Sequence, residues 1–66
     1  MGFEWVVIRN SQYWDKKTES WLSDIMKATV YPDRSKAQKV VDWVGQSGVY
    51  AAKRVKVGNR VVAMRG

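Results

Sequence analysis

The sequence predicts an α+β domain over residues 1–66: a small antiparallel sheet of three to five strands packed on one helix, in the order β-β-(β)-α-β-β. Three observations predict it. The run "FEWVVIRN" and the run from Val49 onward are rich in β-branched and aromatic residues, which suit a pleated, half-buried surface. Between them, one segment carries apolar residues at helical spacing. Gly58-Asn59 then divides the C-terminal run into two halves, a hairpin signature.

Taken in order, "FEWVVIRN" places Phe3, Trp5, Val7 and Arg9 on one strand face and Glu4, Val6 and Ile8 on the other. "NSQ" is a turn signal, because Asn10 tolerates left-handed dihedrals and Ser11 bonds the backbone locally. "QYW" resumes strand character, and "DKKTES" reads as a turn or loop. Trp21-Leu22 and "ATVY" both have strand composition, with a loop or one helical turn at "SDIMK" between them. Pro32 ends this segment, since it lacks an amide donor and restricts the residue before it.

Asp33 then serves as an N-cap. Ala37, Val40, Val41 and Val44 fall at i, i+3, i+4 and i+7, a single apolar stripe, with Trp43 at its edge. Gly45 or Gly48 supplies the stop, so the helix is expected over about 34–46. In the hairpin, glycine in the first turn position suits type II′. That register sets Val57 opposite Arg60, Lys56 opposite Val61, Val55 opposite Val62 and Arg54 opposite Ala63. Val55, Val57, Val62 and Met64 then share the more apolar face, expected to meet the helix, with Lys53 and Arg60. Arg54 and Lys56 are expected to point outward from the other face.

Composition narrows the function. A chain of 66 residues buries only about 60% of its unfolded surface. It holds neither Cys nor His, so a disulfide, a thiolate metal site and an imidazole base are all excluded, and no metal or cofactor is expected. Four Trp, three Tyr and one Phe must supply much of the packing. The carboxylates are scattered, with Asp33 explained as a cap and Asp15 as a turn residue. No G-x-S-x-G or G-x-x-x-x-G-K is present, and the chain is not expected to be an enzyme. No apolar run approaches the roughly 18–20 residues of a membrane span. "MGFEWVVIRN" does not read as a signal peptide, and Val6 breaks the myristoylation pattern after Gly2. The expectation is a cytoplasmic protein without membrane contact, monomeric or homodimeric through an exposed sheet edge.

The net charge of +6 is segregated. Residues 1–33 carry four cations and five acids, a net of −1, whereas residues 34–66 carry eight cations and one acid, a net of +7. Lys53, Arg54, Lys56, Arg60 and Arg65 lie in the hairpin with no acid among them. A basic hairpin can resist edge aggregation, or it can be a ribbon applied to phosphates or to an acidic protein patch. In "YWDKKTESWL", Tyr13 and Trp14 are strand neighbours and point to opposite faces, so one is exposed unless a second layer covers it. At least two of the four Trp are expected to be half-exposed. Trp14 and Trp21 are therefore candidate partner anchors as well as candidate rims of a small core. Lys16 and Lys17 sit beside Asp15 and Glu19, which favours a structural hairpin there over a basic surface.

"FEWVVIRN", the aromatics of "QYW", Trp21 and above all "KATVYPDRSKAQKVV" resemble a recurrent pattern in small phage and prophage accessory proteins. The ribonuclease H hybrid-binding domain is similar at Trp5 to Arg9 and at Ala28 to Val41. This chain lacks that domain's Gly-containing insert and second helix, so no binding residue is carried over. The resemblance implies a binding function, often toward host transcription, replication or defence proteins, and so a location in the host cytoplasm. The expectation from the residues themselves is a non-catalytic module that contacts DNA or RNA through the basic hairpin. The alternative is an accessory protein that binds and modulates an acidic host protein.

Overall fold

In the computed structural model, which describes residues 4–64, five strands form one antiparallel sheet. They are β1 (Glu4–Arg9), β2 (Gln12–Asp15), β3 (Ser20–Leu22), β4 (Tyr50–Val57) and β5 (Arg60–Met64). Their order across the sheet is β3-β2-β1-β4-β5. A 3-10 turn (Ile25–Lys27) and one helix, α1 (Arg34–Val44), lie between β3 and β4. The small α+β fold predicted by the sequence is the one observed. Arg65 falls outside the described residues.

β1 is the central strand, and its sequence explains why. Trp5, Val6, Val7 and Ile8 are four consecutive buried residues, so both faces of β1 need cover. On one face Trp5 and Val7 pack with Trp14 and with Ala37 of α1, backed by Val40, Val41, Val49 and Ala51. On the other, Val6, Ile8 and Ala52 pack with Tyr13, Val30, Tyr50 and Ala63. Val6 and Val7 are wholly enclosed, each worth about 1.5–3 kcal/mol of burial. Tyr13 and Trp14 do point to opposite faces, and both are accommodated because each face has its own cover.

The second cover is the connection between β3 and α1. It passes over the face away from α1, where the 3-10 turn begins at Asp24, whose carboxylate accepts from the Met26 amide at 2.9 Å. Val30 joins the second cluster. The chain then re-enters the plane of the sheet, as Tyr31 exchanges two backbone hydrogen bonds with Trp5, at 2.8 and 2.7 Å. "ATVY" therefore makes a single bridge in place of a full strand. Pro32 follows directly and ends the ladder.

α1 starts where Asp33 predicts. Its carboxylate accepts from the Lys36 amide at 2.9 Å and from the Ser35 hydroxyl at 2.7 Å. These two bonds hold the Asp33 carboxyl below its ordinary value of 3.8. A lowered carboxyl stabilises the fold above that ordinary value, and the contribution is lost as pH falls through the lowered one. Gly45, left-handed at φ 64°, ends the helix and returns its amide to the Val41 carbonyl at 3.1 Å. Among the described residues, no helix is long and apolar enough to cross a membrane.

The β4–β5 register matches the reading from Gly58-Asn59 at every pair, from Arg54–Ala63 to Val57–Arg60. Gly58 has φ 61° and Asn59 is not left-handed, as type II′ requires. The helix covers the expected face, but only its first part. At 1.5 Å per residue α1 is about 16 Å long, whereas the eight residues of β4 reach about 26 Å. Val57, at the far end of β4, therefore remains 55% exposed, and Met64, opposite Lys53 on the edge strand β5, is 52% exposed.

The β1–β2 turn is strained in a way that can be measured. Asn10 and Ser11 are both left-handed, at φ 49° and 64°, so the two-residue turn is type I′. Asn tolerates that conformation and Ser does not. Ser11→Gly is expected to stabilise the protein by about 0.5–1 kcal/mol, raising Tm by roughly 2–8 °C. A calorimetric midpoint at or below the parent's would refute strain at this turn.

Candidate functional site

The four hairpin cations among the described residues do not share one environment. Arg54 lies on the face expected, but that face is covered. Glu4 stands beside it on β1 and accepts from its guanidinium at 3.0 Å. The other terminal nitrogen approaches the Met26 sulfur of the 3-10 turn at 3.4 Å. Its side chain is only 19% exposed, so the expectation that Arg54 points outward is corrected. The physical reason is the second cover, which brings Met26 over the β1–β4 edge that Glu4 and Arg54 share. Lys53 is half-buried and engaged. Lys56 and Arg60 remain, both exposed and flanking the tip of the hairpin.

The two Trp anchors expected also separate. Trp14 is 7% exposed and belongs to the core. Trp21 sits opposite it on β3, their rings 5.2 Å apart in a T-shaped contact. The Arg9 guanidinium lies 5.0 Å over the Trp21 ring and also donates to Gln46 beyond the helix end. Trp21 is thus half-buried and capped by a cation, an arrangement worth about 0.5–1 kcal/mol at a partly exposed site. Trp5 is buried as well. "YWDKKTESWL" is the β2–β3 hairpin. Asp15 ties its loop by accepting from the Lys17 amide at 3.1 Å and the Thr18 hydroxyl at 3.0 Å.

The exposed ring is Trp43, at 68%. It leans on Trp14 with centroids 6.1 Å apart and leaves most of its surface to solvent. Lys39 is one helical turn earlier on the same side of α1. Together they form one wall of a groove of about 300 Å³ between the helix and the β2–β3 hairpin. Trp14 and Val40 lie within it, Lys16 and Glu19 line the hairpin side, and Tyr31 closes the third side. The Tyr31 hydroxyl is shielded from solvent and has no hydrogen-bond partner. Burial pushes this phenol above its ordinary value of 10.0, so it stays protonated near neutral pH.

Trp43, Tyr31, Lys16 and Lys39 were not legible as one site. The signal available was a large aromatic one position off the apolar stripe, four residues after a lysine. The opposite wall comes from a hairpin 20 or more positions away in sequence, and only the folded sheet brings it there. Among the described residues, no group of three or more acids is placed to hold a metal ion. In comparisons with protein-family models, with curated proteins and with solved structures, nothing matches this chain.

The two Trp of the groove are expected to differ sharply on truncation. Trp14→Ala removes a core ring and should cost about 3–5 kcal/mol, comparable to the entire stability of so small a domain. Trp43→Ala should change stability by less than about 1 kcal/mol. Urea unfolding followed by circular dichroism measures both, and equal losses would contradict the assigned burial.

Proposed function

We propose that this protein is a non-catalytic nucleic-acid-binding module. The observation that carries the reading is the distribution of cations at the surface. Lys56 and Arg60 stand exposed at the tip of the basic hairpin, and Arg34, Lys36 and Lys39 stand exposed along α1. From Trp43 to the C-terminus there is no acid in the sequence. Cations so exposed neutralise phosphates and release their counterions, which favours binding without need of base contacts. Arg54 belongs to the fold here, through Glu4. The hairpin contributes its tip, and the helix supplies the remaining charge.

A second reading is favoured by a separate observation. Val57 and Met64 are more than half exposed on the helix side of the hairpin, where the helix does not cover them. Apolar side chains do nothing for phosphates, but they suit a protein partner. On this reading the chain is a phage-type accessory protein that binds an acidic surface of a host transcription, replication or defence factor.

Salt titration tests the first reading. Log K should fall with log salt by about 0.9 per phosphate on duplex DNA and about 0.7 on a single strand. Three to five contacts give a slope of roughly −2 to −4. The double change Lys56→Ala with Arg60→Ala should flatten the slope by one to two contacts, and Arg54→Ala should lower stability while leaving the slope as it was. A double variant with the parental slope would remove the hairpin tip from the interface. No binding below about 100 μM at low salt would remove nucleic acid altogether and promote the protein partner.

A further inference from the structure

We infer that the groove between α1 and the β2–β3 hairpin takes an unpaired nucleobase, so that the nucleic acid this module prefers is single-stranded. The inference rests on the nucleic-acid reading above and adds to it a place and a strandedness. Its first support is Trp43. A chain with so little core gains most by burying its rings, and it buries Trp5 and Trp14 while leaving Trp43 at 68% exposure beside a groove. An exposed indole face is a stacking platform that accepts any base, because every base has a π-face. In a duplex those faces are already stacked on their neighbours and are not available to it.

The second support is the size and chemistry of the groove. Its volume of about 300 Å³ is at the lower end for small-molecule sites, suited to one planar ring system and its sugar. The walls are Trp14, Trp43, Val40 and the ring of Tyr31, an apolar surround for a base. Lys39 from the helix and Lys16 from the hairpin stand on opposite walls. An extended strand that places one base between those walls carries a phosphate on each side of it, and each wall offers one lysine as a counter-charge. Glu19 is the one acid of the lining, so the groove keeps a net positive charge. An uncharged partner side chain would fill the apolar walls and leave both lysines unanswered.

The third support is the polar part of the lining. The Tyr31 hydroxyl is shielded from solvent and so offers nothing to a base edge. Lys16, Glu19 and Lys39 are the charged side chains of the lining, with no amide among the lining residues to tell one base from another. The binding is therefore tolerant of sequence, as stacking-based single-strand recognition is.

The test compares labelled oligothymidylate of about 12 nucleotides with a duplex of the same length, by fluorescence anisotropy. The proteins are the parent, Trp43→Ala, Trp43→Phe and the double variant Lys56→Ala with Arg60→Ala. The parent should prefer the single strand. Trp43→Ala should weaken single-strand binding by about ten-fold or more, with duplex affinity and salt slope unchanged. Trp43→Phe should recover most of the loss. Unchanged circular dichroism and melting confirm that each variant is folded. Equal single-strand affinity for the parent and Trp43→Ala, with weakening only in the double variant, would overturn the groove and leave the cationic reading standing. Binding of neither nucleic acid by the parent would overturn both.

Discussion

The burial of β1 on both faces is the constraint from which the rest of the structure follows. Four consecutive enclosed residues, Trp5 to Ile8, require two covers, and the described residues have one α-helix to offer. The connection between β3 and α1 must therefore supply the other. That requirement places the 3-10 turn on the far face, draws Tyr31 into pairing with Trp5, and fixes where α1 begins three residues later. It also decides the fate of Arg54, which becomes a clamp between β4, Glu4 of β1 and Met26 of the turn. One of the cations most conspicuous in the sequence is thereby committed to holding the second layer.

The same constraint explains why the candidate site is aromatic. The helix face of the sheet is built around Trp5, Trp14 and Trp21, and α1 lies across only part of it. Where the helix surface turns away from the sheet, the large rings do not meet flush, and a groove opens between Trp43 and the β2–β3 hairpin. Trp14 is both a core residue and part of the groove lining. The site is thus the margin of the core itself, and it inherits the rigidity of a strand and a capped helix. A site positioned by such elements loses little entropy when a ligand enters, which is the physical advantage of a preformed groove.

Much of the fold was legible because it is specified locally. Gly58-Asn59 fixed every pair of the C-terminal hairpin, since a two-residue turn leaves no freedom of register. Asp33 and the stripe from Ala37 to Val44 fixed the helix, and of the two glycines that could stop it, Gly45 and Gly48, the first does. The faces of β1 followed from alternation alone. What was not legible depends on contacts between distant residues. Glu4 and Arg54 are paired across 50 positions, and nothing near either one announces the other. The second cover has no periodic signal, because a 3-10 turn and a single bridge are too short to carry one. Trp14 and Trp21 were legible as aromatics on a hairpin, but their burial depends on a helix contributed from elsewhere. Trp43 was visible as a residue at the edge of the stripe, and its neighbours across the groove were not.

The central claim is that one aromatic layer is divided between a buried part that holds the sheet and an exposed part that meets a ligand. The four indole N–H groups report on that division directly, because each gives its own signal in a nitrogen–proton correlation spectrum. On titration with oligothymidylate, the Trp43 signal should shift most, the Lys56–Arg60 backbone amides should shift with it, and Trp5 should stay in place. A spectrum in which the Trp43 indole does not move at saturation, or in which all four indoles move together, would contradict the division.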